Sequence, residues 1–88
     1  MFLHLGMDEM IPECEVVAIL DLETAGVSEI TREFLESARK EELVANISEE
    51  DLPKSYVIRA GNNGGYRVYV SPISARTLAK RAVEVLGK

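Results

Sequence analysis

The chain has 88 residues, 47% of them hydrophobic and 28% charged, with ten bases against 15 acids for a net charge of −5. That length supports one domain, residues 1–88, with a modest core of Leu, Ile and Val, because the chain holds five aromatics and no Trp. The lone Cys14 excludes an intramolecular disulfide, the lone His4 excludes a His-rich metal site, and the longest apolar run, Val16 to Leu20, is far short of the about 20 residues of a membrane span.

The N-terminal stretch "MFLHLGMDEM" lacks a basic n-region and a long apolar h-region, so no signal peptide is expected and the expected compartment is the reducing cytoplasm. Within it, "FLHLG" reads as a short strand ended by Gly6, with His4 at an edge-strand position. "EMIP" reads as a second extended piece stopped by Pro12. Cys14 is expected to be a small, partly buried apolar residue. Asp8, Glu9, Glu13 and Glu15 are expected to be solvated charges and not a metal site. "EVVAILDL", Glu15 to Leu22, is short, β-branched and nearly all apolar, which predicts a buried central strand followed by a connection at "ETAG".

"SEITREFLESARKEEL" carries the signature of a helix. Ser28 is an N-cap candidate, Glu29 lies in the first turn, and Ile30, Phe34, Leu35 and Ala38 form one apolar stripe, with Glu36 and Lys40 paired at i,i+4. "NISEEDLP" is a polar connection. "KSYVIRA" and "GYRVYVS" read as strands joined through "GNNGG", whose Gly and Asn residues accept positive φ, as a hairpin loop requires. In the second strand Tyr66, Val68 and Val70 share one face, and Arg67 and Tyr69 the other. "SPISARTLAKRAVEVLGK" is a C-terminal helix, opened either by Ser71 with Pro72 or by Ser74, in which case Ile73 and Leu78 staple its start. Leu78, Ala82 and Val85 form its inner stripe, and Gly87 fits the residue after its end. The sum is an α+β domain, a mostly antiparallel sheet of about five strands with two helices, one of them C-terminal.

Charge divides the chain. Residues 1–52 hold three bases and 14 acids, a net of −11, whereas residues 53–88 hold seven bases and one acid, a net of +6. Arg76 and Lys80 stack four residues apart on the last helix, with Arg81 beside them. Arg59 and Arg67 flank the hairpin loop and are expected on the solvent face of the sheet beside Tyr69. Gathered on one outer patch, such groups attract phosphates without base specificity. An overall negative charge does not forbid this, because the Debye length at physiological salt is about 8 Å and the acids can occupy the far side. Two alternatives stay open: charges on a helix are usually a solvated face, and an acidic half can dock on the basic half of the next copy, head to tail. "GNNGG" lies between two strands, so it lacks the helix N-terminus of a phosphate loop. One His and one Cys assemble no catalytic set, so neither an enzyme nor a cofactor or small-molecule ligand is expected.

The segments "MFLHLG", "VVAILDLE", "SEITREFLE", "PKSYVI" and above all "VYVSPISARTLAKRA" resemble the extracellular matrix regulatory protein family of the RemA/RemB type, on the RemB side, over nearly the whole chain. The resemblance implies a compact α+β protein of the bacterial cytoplasm. It also implies a role in transcription regulation of biofilm matrix genes, RemA-type members being duplex-DNA-binding regulators that assemble as homo-oligomeric rings. RemA-type binding uses arginines near the central strand and before the penultimate hairpin. Here "ECE" puts Glu13 and Glu15 at the first place, and Lys54, followed by Arg59, lies near the second. The candidate DNA-binding residues are Lys54, Arg59, Arg67, Arg76, Lys80 and Arg81.

Overall fold

Alternation of side chains builds the first layer. The computed structural model describes residues 1–25, 28–61 and 64–86, the side chains of 25 and 83–86 excepted. Strand β1 (Phe2–Gly6) pairs antiparallel with β2 (Glu9–Pro12), and Leu3, Leu5 and Ile11 turn inward and are buried while Phe2 and Met10 stay exposed. His4 sits in this two-stranded edge as expected, and its Nε2 donates to the Met7 carbonyl at 2.6 Å. Gly6 has φ of 120°, and an added Cβ would lie 3.2 Å from the Pro72 ring, so both backbone and space demand glycine there.

A 3-10 turn, Glu13–Glu15, leads into β3 (Val16–Asp21). The turn reverses two expectations: Cys14 is exposed and Glu13 is buried, because Glu13 takes the inward position of the turn. β3 is an edge strand, not a central one: the four-stranded sheet runs β3-β5-β6-β4, and Val17 is exposed beside a register shift at Val16/Ala18. Its apolar run reflects a helix-bearing layer on each face, with Leu20 packed to one side and Val16 and Ile19 to the other. "LETA" is a short helix, α1 (Leu22–Ala25), opened by the Asp21 carboxylate, which accepts from the Glu23 amide at 2.8 Å.

Helix α2 (Glu29–Lys40) is capped by Ser28, whose Oγ accepts from the Thr31 amide. Leu35 and Ala38 are buried and Phe34 half-buried, but Ile30, in the first turn, is 79% exposed. The helix stops at Lys40 rather than Leu43, because Glu42 adopts a φ of 58° and returns the chain to β4 (Val44–Asn46). This three-residue strand, unseen in the sequence, runs parallel to β6. Strands β5 (Ser55–Ala60) and β6 (Tyr66–Ser71) form the expected hairpin, closed by the Gly61 amide donating to Gly65, with Gly64 at φ 77°. Asn62 and Asn63 lie outside the described residues. Helix α3 (Ala75–Leu86) is capped by Ser74, which accepts from the Thr77 amide and so decides between the two possible starts. Leu78 is fully buried and Ala82 half-buried, whereas the Val85 side chain and Gly87 lie outside the described residues.

The domain is α+β with three layers. Helix α2 covers one face of the mostly antiparallel four-stranded sheet, where Leu35 and Ala38 meet Val68 and the Phe34 ring stacks on Tyr66 at 5.1 Å. The β1–β2 pair and α3 cover the other face, where Leu3, Leu5, Ile11 and Leu78 meet Val57 and Tyr69. Among the described residues six strands are present, in two sheets.

Two opposed serines clasp the second cover to the sheet. Ser55 and Ser71 are register partners and fully buried. Ser71 Oγ donates to the Leu5 carbonyl at 2.6 Å, at the register shift of β1, and accepts from the Ile73 amide at 3.0 Å. Ser55 Oγ donates to the Ile73 carbonyl at 2.7 Å. Ser71→Ala orphans a buried carbonyl and an amide, and is expected to cost about 1–3 kcal/mol. For a domain of this size each kcal/mol lowers the melting temperature by roughly 4–8 °C, readable in a thermal melt.

Candidate nucleic-acid interface

The six candidate cations do not form one exposed patch. Arg59 and Arg67 are register partners at the loop end of the β5–β6 hairpin, on the face that carries Tyr69. That face packs against the β1–β2 pair and α3 and is not the free face expected, so Tyr69 is buried. Arg59 is engaged on two sides: its Nε donates to Glu15 Oε1 at 2.7 Å and its Nη1 to the Tyr69 hydroxyl at 3.1 Å. Lys54 precedes the opposite end of β5, on the order of 15 Å of strand away, where its amide donates to the Ser71 carbonyl. Arg76 and Lys80 are exposed on α3, one turn apart. Arg81 turns inward, half-buried, and its Nη1 donates to the His4 carbonyl at 3.3 Å.

Electrostatics sorts these groups further. The Glu15 hydrogen bond, and after it the Tyr69 hydroxyl, hold Arg59 above the usual guanidinium range, with burial pulling the other way. The sign is that of a cation gaining a partner. With Glu15 ionised, the contribution from the guanidinium's own titration is fully present below the unfolded guanidinium range and is lost as pH rises through the folded value. Lys54, Arg67, Arg76 and Lys80 present exposed side chains, while Arg59 and Arg81 are half-buried and hydrogen-bonded within the fold.

Glu15 and Tyr69 were invisible as partners of Arg59 because their meeting depends on β3 pairing with β5. Val16 opposite Arg59 brings the preceding residue, Glu15, to the guanidinium. Glu13 was missed for a different reason. Both of its carboxylate oxygens are buried without a hydrogen-bond partner among the described residues, and nothing in "ECE" marks an inward glutamate. No group of three or more metal-ligating residues occurs among the described residues, and no described helix is long and apolar enough to cross a membrane.

The family profile "RemA-like: Extracellular matrix regulatory protein A-like" matches residues 2–82, spanning every described element through most of α3. The chain belongs to this family. It is also 37% identical over 82 residues to "Extracellular matrix regulatory protein B" of Bacillus subtilis (strain 168), covering 93% of this chain and 90% of that protein. For this RemA-like chain the match reaches the Glu13–Glu15 turn and the serine clasp as well as the basic helix.

An unpartnered buried carboxylate costs more than an apolar side chain of similar volume. Glu13→Met is therefore expected to raise stability by about 1 kcal/mol or more, seen as a higher midpoint in urea with an unchanged slope. A lower midpoint would show that the carboxylate has a stabilising partner in solution.

Proposed function

We propose that this RemA-like chain is a non-enzymatic regulator that acts in the cytoplasm by binding duplex DNA as a homo-oligomer, through phosphates and not base edges. The observation that carries this reading is the exposure of Lys54, Arg67, Arg76 and Lys80, the two on α3 one turn apart. The particle measures 36 × 30 × 24 Å, several times the Debye length of about 8 Å, so a basic face acts locally despite the net charge of −5. One protomer spreads its exposed cations over both ends of β5 and over α3, so the reading relies on neighbouring copies to line them up along a duplex. Self-association is supported by the outer face of the β1–β2 pair, where Phe2 is 60% and Met10 52% exposed.

If four phosphates are neutralised per protomer, log K falls against log salt with a slope of about −3.6 per protomer in a gel-shift titration, and Arg76→Gln with Lys80→Gln flattens it by about 1.8. Absence of binding at low salt would sink the reading. The exposed apolar face also favours a second reading, an interaction module that binds only itself or another protein. Light scattering separates the two: after Arg76→Glu with Lys80→Glu, the DNA reading expects an intact assembly that has lost DNA, and the docking reading expects a smaller mass.

A further inference from the structure

We infer that the cleft between Arg59 and Arg67 is a binding site for a single phosphoryl group, carried by a small phosphate ester, by free phosphate or by a nucleic-acid backbone. The cleft has a volume of about 280 Å3 and is lined chiefly by Glu15, Arg59, Gly61, Gly65, Arg67 and Tyr69. The two arginines stand directly opposite one another on adjacent strands. Cβ atoms so placed are about 4.5–5.5 Å apart, and like charges at that position destabilise a sheet. Glu15 offsets one of the two charges. Arg67 is exposed and makes no ion pair among the described residues, so the cluster keeps a net single positive charge.

The chemistry of the unused donors names the ligand. Arg59 gives its Nε hydrogen to Glu15 and one Nη1 hydrogen to Tyr69, which fixes the guanidinium plane and leaves the Nη2 hydrogens free of any partner among the described residues. The Glu15 carboxylate already occupies the Nε edge of Arg59, so a second carboxylate there would be repelled. Two guanidinia across a strand pair instead suit a tetrahedral group with three or more outer oxygens. The volume lies just below the about 300–1,000 Å3 usual for small-molecule sites, which favours a phosphate or a short ester over a dinucleotide. Gly61 and Gly65 add no side chain of their own to the lining, and a Cβ added at Gly65 would meet nothing within 4 Å.

This inference does not need the DNA reading, because phosphate added to the free protein tests the cleft alone. The experiment is a titration of the labelled full chain with inorganic phosphate, followed by NMR at the Arg59 Nε–H and the Gly65 amide, with sodium chloride at matched ionic strength as the control. The expected result is saturable shifts with a Kd of about 1 mM or tighter, weakened about tenfold or more by Arg67→Gln and unchanged by Arg32→Gln on α2. Arg67 is exposed, so its substitution leaves the fold intact, and Arg59→Lys, which keeps charge but loses the planar fork, is expected to weaken phosphate as well. A short duplex that shifts the same signals and competes with phosphate identifies the nucleic-acid backbone as the source. A duplex that leaves them unmoved identifies a free phosphate or ester. Shifts equal to those of chloride, or phosphate binding retained in Arg67→Gln, would overturn the site.

Discussion

The fold turns on two hydroxyls buried between its layers. Ser55 and Ser71 face each other where β5 and β6 end, and together they bind a carbonyl of β1 and both the amide and the carbonyl of Ile73. These backbone groups lie where regular pairing stops, at the register shift of β1 and in the segment leading to α3. A buried peptide group without a partner costs as much as several buried methylenes contribute, so the layers close only if something polar closes with them. Serine is small enough to do this without displacing Leu5 or Leu78, both fully buried. This face of the sheet and its cover of β1–β2 and α3 are thereby locked in one relative position, which sets where the cations of α3 emerge.

The same packing divides the basic half of the chain into structural and free charges. Arg59 gives two of its hydrogen bonds to Glu15 and Tyr69, and Arg81 gives one to the His4 carbonyl. Glu15 comes from the acidic half of the sequence, so part of the charge asymmetry is internal complementarity between the two halves. What remains exposed is spread over the particle and is not one stripe. A surface of that kind gives a strong field only where copies place it side by side.

Much of the fold was legible because its signals are local. Ser28 caps its helix as its position suggested, Ser74 is one of the two starts the sequence offered, and the strands on either side of the Gly-rich loop pair as the expected β5–β6 hairpin. The parts that were not legible depend on contacts between distant residues. β4 is three residues long and exists only because β6 lies beside it, and three residues carry no periodicity to read. β3 has the composition of a central strand because layers cover both of its faces, although its outer edge is open. At the candidate site, residue types were legible and pairing was not. Arginine at 59 was plain, but its engagement by Glu15 follows from a strand register that spans 44 residues of sequence. Family membership was legible from contiguous segments, since these need no tertiary information, and the profile match over residues 2–82 bears it out.

The Arg81 guanidinium reaches the carbonyl of His4, a contact across 77 positions of the chain. The β1–β2 hairpin and α3 stand at opposite ends of the element order. Without α3 in place, Leu3, Leu5 and Ile11 lack Leu78 as a neighbour. The layer is accordingly completed only when two segments far apart in the sequence meet, so its core is built on long-range contacts that no local stretch can form alone.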